Sequence, residues 1–133
     1  MKDTPSAMID TLMMIDDNHI DQRMYKRIVS RSGLVKNVVC FSLADEALEH
    51  LVANPNDKPD IILLDINMPR MDGYEFLEAV DQAFGSDFSV VVVMLTTSLD
   101  PRDKERAKQF PAVKRFLEKP LTPENLEELA TLV

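Results

Sequence analysis

The sequence predicts an α/β domain in which five parallel strands alternate with five helices, a doubly wound (βα)5 sheet of strand order 2-1-3-4-5. Short apolar runs recur along the chain with longer amphipathic segments between them, the pattern of repeated β-α units. Three of those runs, Leu12 to Ile15, Ile61 to Leu64 and Val90 to Leu95, are unbroken, as strands covered on both faces must be. The length of 133 residues suits one compact domain, and 45% hydrophobic with 29% charged residues is ordinary globular composition. Right-handed crossovers then leave 2-1-3-4-5 as the leading order.

Residues 1–10 read as an N-terminal extension and 11–133 as the domain. The first strand is Leu12 to Ile15. Ile20, Met24 and Ile28 repeat at intervals of four, which predicts a first helix with Gly33 as its stop. Val38 to Phe41 forms the second strand, with Cys40 as a small core residue. Ser42 and Asp45 have the spacing of a capping box that opens a helix over Leu43 to Val52. After the third strand, Phe76, Leu77, Val80, Ala83 and Phe84 share one helical face and Gly85 ends it. The fourth strand leads into Asp100-Pro101, a cap before a proline at the first helical position. That fourth helix offers the sheet only Leu99, Ala107 and Phe110. The fifth run, Val113 to Leu117, contains Lys114 and Arg115, charges suited to an edge strand. Thr122-Pro123 caps the last helix, which buries Leu126, Leu129, Ala130 and Val133.

Composition excludes several classes. A formal net charge of −8 repels a phosphate backbone, so direct nucleic-acid binding is not expected. The one cysteine rules out an internal disulfide and a cysteine-based zinc site. No apolar run approaches the roughly 20 residues that cross a bilayer, and Met1 to Asp10 lacks the build of a signal peptide. The expectation is a cytoplasmic domain with no membrane partner.

Parallel strands all finish at one rim of the sheet, where ligands of such sheets bind. The first strand finishes in Asp16-Asp17, the third in Asp65, the fourth in Thr96, and the fifth runs into Lys119. Three aspartates against one lysine leave excess negative charge, which would raise a carboxylate pKa unless a cation joined them. The donors are oxygens, so Mg²⁺ is the best match, and Mg²⁺ usually works beside a phosphate. The only glycines are Gly33, Gly73 and Gly85, so no glycine-rich loop cradles a nucleotide. The phosphoryl group should therefore be carried covalently, with Asp65 on the central strand as nucleophile. Each piece has a bland reading. An Asp-Asp pair is often a helix-capping turn, Met68 to Gly73 a Pro/Gly turn, and Lys119-Pro120 a solvated lysine before a helix. Their convergence on one rim sets the bland readings aside.

The set Asp16-Asp17, Asp65, Met68-Pro69-Arg70-Met71-Asp72-Gly73-Tyr74-Glu75, Thr96 and Lys119-Pro120 resembles a response-regulator receiver domain, a flavodoxin-like fold, of the chemotaxis type. The resemblance implies phosphorylation of Asp65 by a phosphohistidine on a sensor histidine kinase or phosphotransfer protein. It implies Asp17, Asp65 and the carbonyl of Asn67 as direct metal ligands, with Asp16 acting mainly through water. Lys119 would pair with the phosphoryl group, Thr96 would move to hydrogen-bond it, and Phe116 would be the switch aromatic. Pro69, Gly73 and Pro120 take structural turn positions, and the Lys119-Pro120 bond is expected to be cis. Phe116 brings no hydroxyl to the switch, and Thr97 stands where the family more often has a smaller residue.

Action on a downstream effector is expected through the face of the fourth helix, fifth strand and fifth helix. Two rival readings are a phosphatase of the haloacid-dehalogenase type and a receiver that no longer takes phosphate and only docks. The phosphatase places its nucleophile on the first strand with a second aspartate two positions on. Here Asp65 is followed at that spacing by Asn67, which cannot exchange a proton. The docking module would have lost an acid or the lysine, and none is lost. The expectation is a domain that catalyses only its own phosphorylation and dephosphorylation.

Overall fold

The apolar runs become strands because alternate residues of each can be buried on opposite faces of one sheet. The computed structural model describes residues 9–98 and 100–133. Its elements are β1 Ile9–Ile15, α1 His19–Ser32, β2 Val35–Phe41, α2 Ala44–Ala53, β3 Ile61–Leu64 and α3 Gly73–Phe84. After a short 3-10 turn at Gly85–Asp87 come β4 Val91–Thr96, α4 Pro101–Ala107, β5 Val113–Glu118 and α5 Pro123–Ala130. All strand pairs are parallel, in the order β2-β1-β3-β4-β5. Met13, Ile15, Ile62, Leu64, Val92 and Met94 face one core with α2, α3 and Ala107 of α4. Leu12, Met14, Ile61, Leu63, Val93 and Leu95 face a second core with α1 and α5.

Register brings the strand ends level. Ile15 pairs with Leu64 and Leu64 with Met94, so the residues that follow emerge at one edge. Beyond the paired strands, the Asp65 N–H donates to Ile15 O (3.1 Å) and the Lys119 N–H to Thr96 O (2.9 Å).

The inward side of α1 is Tyr25 and Val29, not the Ile20/Met24/Ile28 stripe. Ile20 is 78% exposed and Met24 40%, while Ile28 is partly buried. The helix lies one residue out of phase with the apolar stripe because its first turn points polar groups at the strand ends. Several local expectations are corrected. Ser42 does not cap α2; the cap residue is Leu43, without a side-chain bond, and Ser42 Oγ meets His19 Nε2 at 3.1 Å. Asp45 instead pairs with Arg70. Ala83 and Val133 are exposed, so neither belongs to the core. Cys40 is half-buried at the edge of the second core. β1 takes in Ile9 and Asp10, and β2 begins at Val35, so the exposed Lys36 and Asn37 mark it as an edge. α4 stops at Ala107 and Phe110 packs from the turn beyond it, while Leu99 and residues 1–8 of the extension lie outside the described residues.

Helix ends have clear chemical causes. Asn18 Oδ1 accepts from the N–H groups of Ile20 and Asp21, both at 3.0 Å, and Gly33 closes α1 with φ +69°. Asp72 and Glu75 form a capping box at α3, and Thr122 with Asn125 forms another at α5.

Candidate functional site

Asp16, Asp65 and Thr96 are the buried polar residues among those described, and all three sit where a strand ends. Buried carboxylates need partners. Lys119, reached through the β5–α5 turn, provides one. Its Nζ lies 2.8 Å from Asp16 Oδ2, 3.0 Å from Asp21 Oδ2 and 3.3 Å from Asp65 Oδ2. The Lys119–Pro120 peptide bond is cis. Asp16 Oδ1 accepts the Asn18 N–H at 2.9 Å, and Asp65 Oδ1 accepts the Ile66 N–H at 2.8 Å. Gln22 of α1 donates to the carbonyls of Asp16 (2.5 Å) and Phe41 (3.0 Å), tying the ends of β1 and β2 together.

The loop after Asp65 is shaped by a close approach. Gly73 donates its N–H to Ile66 O at 2.8 Å. A Cβ at Gly73 would stand 2.6 Å from Asp65 O and 3.0 Å from Ile66 Cα, so a side chain there would push the Asp65 backbone out of place. Pro69 O accepts the Met71 N–H at 2.8 Å, and Arg70 adopts a positive φ of 70° within the same turn.

Asp16, Asp17 and Asp65 each offer one carboxylate oxygen, and these oxygens all lie within 4.8 Å of one another. Asp17 is exposed, so the group opens toward solvent. An oxygen-only set with this spacing suits a hard divalent cation. Burial pushes the Asp65 carboxyl above its ordinary range; Lys119 opposes that, and the charge of Asp16 adds to it. Burial also disfavours the charged form of Lys119, yet bonds to Asp16 and Asp21 and the charge of Asp65 outweigh it and hold the ammonium above the usual lysine range.

The structure brings together Asp16, Asp17, Asp65 and Lys119, as the strand-end reading requires. Thr96 is fully buried at the neighbouring strand end, but its hydroxyl accepts the Ser98 N–H at 3.2 Å, with no bond to Asp65 or Lys119 among the described residues. Asn67 is exposed on the loop after Asp65. Phe116 is half-buried against the first core, on β5. Asp21 lies on α1 and not at a strand end, so the strand-end pattern does not point to it. Its signal was available: it falls in the first turn of α1, four residues before the buried Tyr25, on the side that faces Lys119.

Residues 12–131 match the family model described as the response regulator receiver domain. The chain is similar to a two-component response regulator from Cytophaga hutchinsonii of known crystal structure. The identity is 30%, the TM-score 0.86, and the match covers 93% of this chain and 96% of that one. It is 26% identical over 126 residues to two-component response regulator ORR1 of Oryza sativa subsp. japonica, covering 91% of this chain and 54% of that protein. It is 25% identical over 126 residues to hybrid signal transduction histidine kinase B of Dictyostelium discoideum, covering 87% of this chain but only 6% of the kinase. The chain therefore spans a small part to about half of the length of these two curated relatives.

Proposed function

The chain belongs to the response-regulator receiver domain family, and from that premise we propose that it is a phosphoacceptor of a two-component relay. Asp65 takes a phosphoryl group from a phosphohistidine of a sensor kinase or phosphotransfer protein, and the loaded state changes what the domain binds. The observation that carries this reading is the Lys119 ammonium 3.3 Å from Asp65 Oδ2, beside two further carboxylates that can share a divalent cation with Asp65.

A carboxylate oxygen of Asp65 attacks phosphorus while the phosphorus–nitrogen bond of the donor breaks. The electron pair stays on the leaving imidazole, which takes a proton from solvent. Asp16, Asp17, Asp65 and the Asn67 carbonyl would hold Mg²⁺, which when bound offsets charge on the transferring phosphoryl oxygens. Lys119 contributes a second positive charge at the same place, as a compact point charge. The acyl phosphate replaces one negative charge by about two. Thr96 then exchanges its Ser98 partner for a phosphoryl oxygen. Water later attacks phosphorus, the bond to Asp65 breaks, and inorganic phosphate leaves. Each chain thus acts on itself once per cycle, and catalytic turnover of added phosphoesters is not expected.

Effector docking belongs to the face of α4, β5 and α5. Between residues 102 and 115 lie six basic and two acidic residues, in a chain whose net charge is −8. Lys104, Lys108, Lys114 and Arg115 rim a cleft of about 280 Å³ floored by Ala107, Val113 and Phe116. Such a surface fits an acidic segment carrying an apolar side chain.

Incubation with acetyl phosphate and Mg²⁺ tests the reading. The wild-type chain should take one phosphoryl equivalent and Asp65→Asn none. Undiminished labelling of the variant removes Asp65 from the acceptor role.

A further inference from the structure

Lys119 has three ammonium hydrogens, and three carboxylates surround it: Asp16, Asp21 and Asp65 at 2.8, 3.0 and 3.3 Å. It donates hydrogen bonds to Asp21 and Asp65, and Asp16 is the third and nearest counter-charge. Asp16 and Asp65 also belong to the group of carboxylates able to share a cation, whereas Asp21 stands outside that group. Asp21 comes from a different element, the first turn of α1, and reaches Lys119 across a sequence separation of 98 residues. Its backbone does not depend on the ion pair, because the Asn18 side chain holds the Asp21 N–H at 3.0 Å. Its side chain is only 22% exposed, so solvent screens the pair weakly.

We propose that Asp21 is a positioning residue that competes with the incoming phosphoryl group for Lys119. The proposal rests on the reading of Asp65 as phosphoacceptor. A phosphoryl oxygen on Asp65 meets an ammonium whose charge is already shared among three carboxylates. Asp65 yields its own share as its carboxylate is esterified, but Asp21 keeps its full charge at hydrogen-bond distance from the ammonium. Two consequences follow from Coulomb's law. Part of the positive charge of Lys119 is already neutralised before the phosphoryl group arrives, and the Asp21 carboxylate repels the added negative charge directly. Asp21 therefore weakens retention of a phosphoryl-like group, and does so through Lys119, without touching the reacting atoms.

The test is a beryllofluoride titration of the full chain in Mg²⁺, followed by amide resonances, for wild type, Asp21→Asn and Asp21→Glu. Asparagine keeps the shape and an acceptor oxygen but removes the charge. It should bind beryllofluoride about tenfold more tightly than wild type, and glutamate should return affinity toward the wild-type value. Lost helix packing alone would not be rescued by the longer acid. Equal or weaker binding by Asp21→Asn overturns the proposal, because it would make Asp21 neutral or helpful to Lys119. If the variants do not fold, the side-chain carboxyl carbon of Asp21 in the wild-type chain gives the answer. Its resonance should shift on beryllofluoride addition as Lys119 turns to the fluoride, and an unmoved resonance overturns the proposal. Acetyl phosphate labelling separates the two readings: binding at Asp65 with no labelling of the wild type defeats the phosphoacceptor role and leaves the competition for Lys119 standing on its own data.

Discussion

Asp65 has both oxygens engaged, Oδ1 by the Ile66 N–H and Oδ2 by Lys119, yet burial still holds its carboxyl above the ordinary range. The folded chain therefore binds this proton more readily than the unfolded chain does. Ionised Asp65 works against folding at neutral pH, and that opposition fades as pH falls through the folded-state titration toward the unfolded value of about 4. Lys119 has the opposite consequence. Its raised titration contributes stability below the unfolded lysine value of about 10.4, which is lost as pH rises through the folded-state one. In metal-free buffer, Asp65→Asn should be more stable than wild type at neutral pH. Urea unfolding at pH 7 and at pH 4 checks this: the advantage should shrink at the lower pH. A difference that stays constant between the two would trace it to packing instead of charge.

Strand ends were readable from sequence because in a parallel sheet an apolar run followed by a polar residue is both a secondary-structure boundary and a ligand position. Asp16, Asp65, Thr96 and Lys119 were found that way. The first turn of α1 was not, because Ile20 and Met24 look like a buried stripe while the side that faces the site there is polar: Asp21 bonds Lys119 and Gln22 the Asp16 carbonyl. Hydrophobic periodicity locates a core, and it misleads where a helix faces a charged site. The Asp72–Glu75 box, with its cap-and-acid spacing in plain view, lay hidden inside a motif read as a turn.

α4 has a thin apolar face in the sequence, and polar groups supply most of its attachments in the fold. Ala107 is its buried residue; the rest of its hold is polar. Tyr74 Oη donates to Asp103 O at 2.5 Å, and Arg106 lies 4.2 Å over the Tyr74 ring. Burial and then the Asp103 charge push the Tyr74 phenol up to about 12, so it stays a donor throughout the physiological range. Ser98 joins the series, since its N–H donates to Thr96 Oγ1 and its hydroxyl bonds Asp103. On the proposed function, a Thr96 hydroxyl drawn to a phosphoryl group would release Ser98 and loosen that hold on α4. Amide hydrogen exchange with and without beryllofluoride should show changed protection from Lys104 to Phe110. Equal protection in both states counts against the coupling.

Strand order, more than any single helix, assembles the site across the whole molecule. β1 and β3 are neighbours, so Asp16 and Asp65 emerge side by side, and β4 pairs with β5, so Thr96 and Lys119 do too. The carboxylates sit in a chain already carrying a net charge of −8, where any salt relieves some general repulsion. A specific cation does more, because it binds the folded arrangement and not the dispersed aspartates of the unfolded chain. At ten times its dissociation constant it stabilises the fold by about 1.4 kcal/mol, which in a domain of this size raises Tm by a few degrees. Mg²⁺ should therefore raise Tm above the value in a sodium salt of equal ionic strength, and Asp17→Asn should remove most of that difference. An equal response of wild type and variant would assign the effect to screening of the whole surface, and the three carboxylates would lose their standing as a cation site.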